Sequence, residues 1–325
     1  MKLFRDADID PAPLAGRRVA ILGYGNQGRA QALNLKDSGI DVVVGLRDGS
    51  PSVARAAANG IATAPIDEAV RGANLVMLLA PDETLAALYR TIEPHLAQNA
   101  ALGFSHGLAI RFGQIVPRAD LDVIMVAPKG PGTALRSLYR DGKGMAALFA
   151  VAQDASGGGE ALALAYGRAL GCGRAGLMPT SFAEECEADL FNEAAVVWGA
   201  VPDILVAGYD TLVEAGISEE VAYMECVGEL KLLADLIEAR GIAAMREAIS
   251  NTAELGAVTG GPRIVDDRVR AEMRQILADI RSGAFAASLS HESASGYPLL
   301  TAARDRSAGL PVERARNRLK RLLGD

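Results

Sequence analysis

The sequence predicts an α/β Rossmann-type N-terminal domain followed by an all-α C-terminal domain. Three observations lead there. A glycine-rich turn, Gly23-Tyr24-Gly25-Asn26-Gln27-Gly28, sits between an apolar strand and a helix. Short apolar runs then alternate with helical stretches up to residue 151. From Ser181 onward the hydrophobic pattern takes the helical period.

The first strand is expected at residues 17–22, a basic start running into Val-Ala-Ile-Leu. The segment after Gly28 reads as a helix ending at Gly39, and residues 41–45 read as a second strand. Strand, glycine turn, helix and strand within about thirty residues is the context a dinucleotide fingerprint needs. Glycines let the backbone approach a pyrophosphate, which sits at the positive end of the helix. Further strands are expected at residues 74–79, 101–104, 121–126 and 145–151. Strands alternating with helices imply a parallel sheet wound on both faces. Helices are expected at 181–201, 202–215, 218–240, 241–250 and 265–281, and no strand after Gly176. The chain's 325 residues exceed what one core usually fills, so two domains are expected, 1–180 and 181–325.

The end of the second strand bears on cofactor choice. It runs Gly45-Leu46-Arg47-Asp48-Gly49-Ser50-Pro51-Ser52. Arg47 can pair with a 2′-phosphate, and Ser50 and Ser52 can donate to it. That favours NADPH. Asp48 is the contrary residue, because an acid at this place holds the ribose hydroxyls of NAD. Two more motifs follow strands: Ser105-His106-Gly107 and Lys129-Gly130-Pro131-Gly132. His106 can move a proton near neutral pH, and Lys129 can stabilise negative charge on a substrate oxygen. A loop histidine and a surface lysine are the plain alternatives. His95 and His291 have no such context.

The helical half carries two acid pairs, Asp189 with Glu193 and Glu225 with Glu229, each spaced i, i+4. Each pair falls on one helix face, where like charges repel. The neighbours are apolar, so these acids are expected on buried faces, where charge is costly unless neutralised. Mg²⁺ prefers oxygen ligands of this kind. A solvated acidic face is the plain alternative.

Composition narrows the partners. A net charge of −7 with no basic stripe argues against nucleic acid. The alternating basic run 314–321 reads as an amphipathic helix. Cys172, Cys186 and Cys226 have no metal-type spacing and fit a reduced, cytoplasmic protein. The polar start MKLFRDADID has no signal-peptide core, and no uncharged apolar run reaches membrane-spanning length.

Taken in order, GYGNQG, GLRDGSPS, FSHG, FGQIVP, MVAPKGPG, QDASG, EADLFNE, ECVGELKL and ISNTAE resemble the ketol-acid reductoisomerase family, over residues 17–281. The resemblance implies an enzyme of branched-chain amino acid biosynthesis. It would use two Mg²⁺ ions to drive an alkyl migration in 2-acetolactate or 2-aceto-2-hydroxybutyrate, and NADPH to reduce the product to a 2,3-dihydroxy acid. On this resemblance Asp189, Glu193, Glu225 and Glu229 match metal ligands, and Glu185 matches a further acid of the polar site. His106 and Lys129 match the family's base and cation, and Ser250 matches a contact to the substrate carboxylate. Gly23 to Gly28, Arg47, Ser50, Ser52, Asp82 and Gly132 match cofactor contacts. The resemblance also implies a knotted helical domain and at least a homodimer with shared active sites, with a larger homo-oligomer left open. The chain departs from the family pattern at Thr133, at Asn192 and Ala194, at Leu255 to Val258, and in the tail from His291 to Pro298. These departures leave open a related reaction on a different 2-hydroxy-3-keto or 2-keto acid. A nucleotide-binding protein without catalysis is the alternative of another class.

Overall fold

The computed structural model describes residues 2–324. The chain divides into two compact units, one through Cys186 and one from Glu187.

The first unit is an eight-stranded sheet. Its strands are β1 (Arg18–Leu22), β2 (Asp41–Leu46), β3 (Ala62–Pro65), β4 (Leu75–Leu78), β5 (Ala101–Phe104), β6 (Asp122–Pro128), β7 (Ala147–Gln153) and β8 (Leu177–Pro179). Their order is β3-β2-β1-β4-β5-β6-β7-β8. All neighbours pair in parallel except β6 with β7. In the central register Val19 lies between Val42 and Leu75. Strands β4, β5 and β6 are buried at every residue, as expected of a sheet covered on both faces. Seven helices connect the strands: α1 (Asn26–Asp37), α2 (Ser52–Ala58), α3 (Ile66–Val70), α4 (Asp82–Ile92), α5 (Leu108–Arg111), α6 (Gly132–Arg140) and α7 (Gly159–Ala169). Apolar side chains form two separate layers, one holding Val19, Ile21, Leu75 and Tyr166, the other Ala20, Leu22, Val76 and Phe104. Alternate residues of one strand thus feed opposite layers.

The second unit begins within α8 (Phe182–Ala195). It continues through α9 (Ala200–Glu214), α10 (Glu219–Tyr223), a π turn (Met224–Gly228), α11 (Leu230–Glu247), α12 (Asn251–Ile264), α13 (Asp267–Ser282), α14 (Ala284–Ala294), α15 (Pro298–Ala308) and α16 (Pro311–Leu323). A small core joins α9, α10 and α16 through buried Tyr209, Ala222, Val312 and Ala315. Arg318 of α16 donates to Glu220 at 2.7 Å and also to Glu219 of α10.

Several expectations are corrected here. Strands β3 and β8 exist although neither was anticipated. β3 is Ala-Thr-Ala-Pro, a sequence poor in strand formers. β8 is three residues at the sheet edge, and it pairs with β7 and with Phe4. Helix α12 was hidden by its Gly-Gly-Pro sequence near the C-terminal end. The expected helix 218–240 is broken by the π turn, whereas its expected end holds: Gly241, with φ 74°, is non-helical and separates the two stretches of α11. Phe182–Glu214 is long and apolar enough to cross a membrane by composition, but it breaks between Ala195 and Ala200 and carries Glu193 and Asp203.

Gly28 shows how tightly the first turn is built. A Cβ there would stand 2.3 Å from the carbonyl oxygen of Gly23 and 3.6 Å from Ile21 of β1. The obstacle is backbone, so it cannot rotate away. Gly28→Ala is therefore expected to cost about 1–3 kcal/mol, the usual range for overpacking. A denaturant midpoint unchanged from the parent would show that the turn has slack.

Candidate active site

The carboxyl ends of β1, β2, β4, β5 and β6 lie on one edge of the sheet, because those strands run in parallel. Ligands of such sheets bind there. Each expected cofactor residue falls on this edge. Gly23 to Gly28 join β1 to α1. Arg47 and Ser50 lie between β2 and α2, and Ser52 opens α2. Asp82 opens α4 after β4, and Gly132 opens α6 after β6. Arg47 and Asp48 are exposed, whereas Ser52 is buried and its Oγ accepts from Arg55 at 2.6 Å. Arg55 was not singled out in the sequence. Its spacing of three from Ser52 on a helix is the signal that could have found it.

The same edge carries a cluster of charged groups. Glu185, in the first turn of α8, is 1% exposed. Its Oε2 accepts from the backbone N–H of Gly107 at 2.9 Å and lies 3.1 Å from Nδ1 of His106. Its Oε1 accepts from Nζ of Lys129 at 3.1 Å. One buried carboxylate thus gathers the loop after β5 and the loop after β6. Burial, the largest influence, pushes the Glu185 carboxyl up, but hydrogen bonding to His106 and the charges of His106 and Lys129 bring it below the usual glutamate range. Burial likewise pulls His106 down. A hydrogen bond with Cys186 and the bond to Glu185, with the charges of Glu185 and Asp82, outweigh it, so the imidazole sits well above its ordinary value of 6.5. Asp82, placed as a cofactor contact, therefore also acts on His106. Cys186 was read only as a reduced thiol; its place directly after Glu185 was the available signal.

The metal acids follow a different pattern. Asp189 lies one turn beyond Glu185 on α8 and is partly buried, and Glu193 one turn further is exposed. Glu225 lies in the π turn and Glu229 directly after it, and both are exposed. The expectation of buried acid faces is corrected for Glu193, Glu225 and Glu229. Their apolar neighbours are bare too: Trp198 is 64%, Met224 52% and Leu232 63% exposed. Among the described residues, no group of three metal-ligating side chains unites Glu225 or Glu229 with Asp189 or Glu193. The second pair lines a groove of about 410 Å³ with Tyr223, Arg316 and Lys320. Ser250 is the N-cap of α12, its Oγ accepting from the N–H of Ala253 at 3.2 Å. Asp189 carries its carboxylate one turn beyond Glu185 on the same helix, and carboxylate oxygens are donors that suit Mg²⁺.

Known proteins match this architecture over nearly its whole length. The family model described as acetohydroxy acid isomeroreductase, NADPH-binding domain, matches residues 13–176. That of the ketol-acid reductoisomerase C-terminal domain matches residues 182–324. The structure of an NADH-preferring ketol-acid reductoisomerase from an uncultured archean is 41% identical, with a TM-score of 0.95 over 99% of both chains. A semialdehyde dehydrogenase NAD-binding protein from Cupriavidus necator shares the fold at 17% identity, with a TM-score of 0.63 over 82% of this chain and 99% of that one. Pyrroline carboxylate reductase from Plasmodium falciparum does so at 12% identity, with a TM-score of 0.53 over 83% and 98%. Two matched domain models and a full-length relative agree with the motifs in their order, and the chain belongs to the ketol-acid reductoisomerase family.

Proposed function

We propose that the chain converts 2-acetolactate and 2-aceto-2-hydroxybutyrate to 2,3-dihydroxy acids, using two Mg²⁺ ions and NADPH. The observation that carries this reading is the buried Glu185 carboxylate, held between His106 and Lys129 with Asp189 one turn along its helix. In the reaction the 2-hydroxyl loses a proton and the alkyl group moves with its bonding pair from C2 to C3. The former C3 carbonyl oxygen takes a proton. Hydride then goes to the new C2 carbonyl carbon and a proton to its oxygen. When bound, Mg²⁺ polarises the ketone and acidifies the tertiary hydroxyl, and NADPH supplies the hydride.

The chain's own groups handle the protons and the orientation. Nδ1 of His106 lies 3.1 Å from Oε2 of Glu185, near enough for a proton to pass between them, and the Lys129 ammonium holds the other oxygen. This keeps a charged carboxylate in a dry place, ready to accept the hydroxyl proton through the pair and return it. Asp189, Glu193, Glu225 and Glu229 would hold the metal ions. Ser250, at the positive end of α12, would meet the substrate carboxylate.

A second copy of the chain is the partner this reading requires. The helical unit exposes Trp198, Leu232, Ile242, Leu255, Ile264 and Leu299, large apolar side chains that a partner surface could cover. A homodimer with shared active sites would cover it and bring Glu225 and Glu229 to the partner's acids. The helical domain is knotted on this reading. Free, buried Cys172 and Cys186 support a cytoplasmic setting. No nucleic-acid or membrane partner is proposed.

Two observations favour a second reading for the cofactor. Asp48 is exposed beside Arg47, and the archaeal relative prefers NADH. Substrate choice has its own variable, because Thr133 and Leu255 are exposed. Turnover of acetolactate with Mg²⁺ and either nicotinamide tests the proposal directly. No cofactor consumption above a metal-free control would overturn it, and a better substrate in a panel of 2-keto acids would redirect it.

Three outcomes are expected. Asp189→Asn should abolish acetolactate isomerisation while nucleotide titration stays near the parent's. Full isomerisation by that variant would remove Asp189 from the metal set. Replacing both Ser50 and Ser52 with Asp should raise KM for NADPH about tenfold or more and change that for NADH less, since like charges repel. An unmoved ratio would show that this loop does not read the phosphate.

The third outcome concerns pH in metal-free protein. His106 has a raised pKa, so its stabilisation is complete below about pH 6.5 and is lost as pH rises through the folded value. Glu185 has a lowered pKa, so its share is present above its ordinary 4.5 and is lost as pH falls through the folded value. Unfolding midpoints should therefore decline on both sides of that window. His106→Asn should remove the alkaline decline, and a persisting decline would assign it to another group.

A further inference from the structure

Behind the cofactor edge lies a chain of hydrogen bonds, one buried and three partly buried, that the proposed chemistry does not use. Gln31 is in the second turn of α1, fully buried among Ala30, Ala32, Leu33 and Leu35. An apolar residue would cost less at such a position, unless every polar atom of the amide is satisfied. Here they are. The Oε1 of Gln31 accepts from the hydroxyl of Tyr166 at 2.7 Å. Its Nε2 donates to Ser105 Oγ at 2.9 Å and to Gln27 Oε1 at 3.2 Å. Gln27 in turn donates through Nε2 to the carbonyl oxygen of Gly130 at 2.9 Å.

The two ends of this chain are informative. Ser105 immediately precedes His106, and Gly130 immediately follows Lys129. The buried amide therefore reaches the His106 loop directly and the Lys129 loop through Gln27, the two loops whose side chains meet at Glu185. Its third arm ends on Tyr166 of α7, which is fully buried and anchored in the core. Burial also holds the Tyr166 phenol well above its usual pKa, so it stays a donor. The loop after β6 is pressed closely on the glycine turn as well. A Cβ on Gly132 would stand 2.1 Å from the carbonyl oxygen of Asn26.

We infer that Gln31 is a positioning residue for the reaction: its amide fixes the loops of His106 and Lys129 relative to the nucleotide turn, with Tyr166 as its anchor. A displacement of about 1 Å at a reacting centre can cost a hundredfold in rate. A network of this kind acts on kcat, because it touches neither substrate nor cofactor except through Gln27. The inference rests on the reductoisomerase reading for its kinetic test but not for its spectroscopic one.

The test compares the full-length parent with Gln31→Met, Ser105→Ala and Tyr166→Phe. Gln31→Met keeps the volume and deletes the amide. Ser105→Ala deletes only the link to the His106 loop, at a partly exposed position where the fold is secure. Measured are kcat and KM for acetolactate and cofactor with Mg²⁺, the unfolding midpoint, and the ring signal of His106 by NMR. The chain has only 3 histidines, so His106→Asn assigns that signal. Ser105→Ala and Gln31→Met should each lower kcat about ten- to hundredfold with KM for the cofactor nearly unchanged. Tyr166→Phe should fall between them and the parent. The His106 signal should move in Ser105→Ala even without substrate. Should Gln31→Met fail to fold, Ser105→Ala decides. A lowered midpoint with parental kcat and an unmoved His106 signal would overturn the inference and leave the network a packing device. If the parent itself turns nothing over, the functional reading fails, and the His106 signal still decides whether the network positions that loop.

Discussion

The candidate site depends on keeping one carboxylate charged where water is scarce. Glu185 is almost wholly buried, and an unpaired charge there would be prohibitive. It survives because three donors converge on it: the Gly107 N–H, His106 and the Lys129 ammonium. The consequence runs both ways. The carboxylate draws together two loops from the ends of β5 and β6, and those loops supply the charges it needs. Breaking a buried pair by removing one partner is costly because the other is left uncompensated. The first unit therefore has a strong physical reason to hold these loops in one arrangement.

The rest of that unit serves the same edge. The parallel run from β3 to β6 directs successive strand ends to one side, and β7, turning antiparallel, ends the series. Short helices open directly at Ser52, Asp82 and Gly132, so their N-termini point where a cofactor's phosphates and ribose would lie. The helical unit is built by other rules. Its own core is small, centred on Tyr209, Ala222, Val312 and Ala315, and much of its apolar surface is left bare.

Much of this was legible in the sequence because the strongest signals are local. The glycine turn between an apolar strand and a helix, and the His106 and Lys129 motifs at strand ends, needed only spacing and order. Strands β3 and β8 were not legible, since Ala-Thr-Ala-Pro and Leu-Met-Pro owe their conformation to neighbouring strands and not to propensity. The burial of Glu193, Glu225 and Glu229 was misjudged for a related reason. Apolar neighbours in sequence imply an apolar surface, but not that this same chain covers it. The centrality of Glu185 came only from the resemblance, because its partners His106 and Lys129 lie 79 and 56 residues away in sequence. The Gln31 network was invisible for the same reason: Tyr166 is 135 residues distant.

The π turn at Met224–Gly228 makes residue count itself a property of the second acid pair. A π turn takes up one residue more than the helix around it, and such turns are often found at functional sites. Cys226 on its inner side sits 3.3 Å from the place a Cβ would occupy on Gly208, which leaves Glu225 and Glu229 facing outward. Losing one residue here would restore an ordinary helix with all its backbone bonds made. Because the wider turn absorbs that extra residue, everything downstream would keep nearly its present direction. The spacing of Glu225 and Glu229 would fall from four residues to three, still one face but closer along it, although neither acid had changed. The separation of the two acids is thus set by a residue that is neither of them.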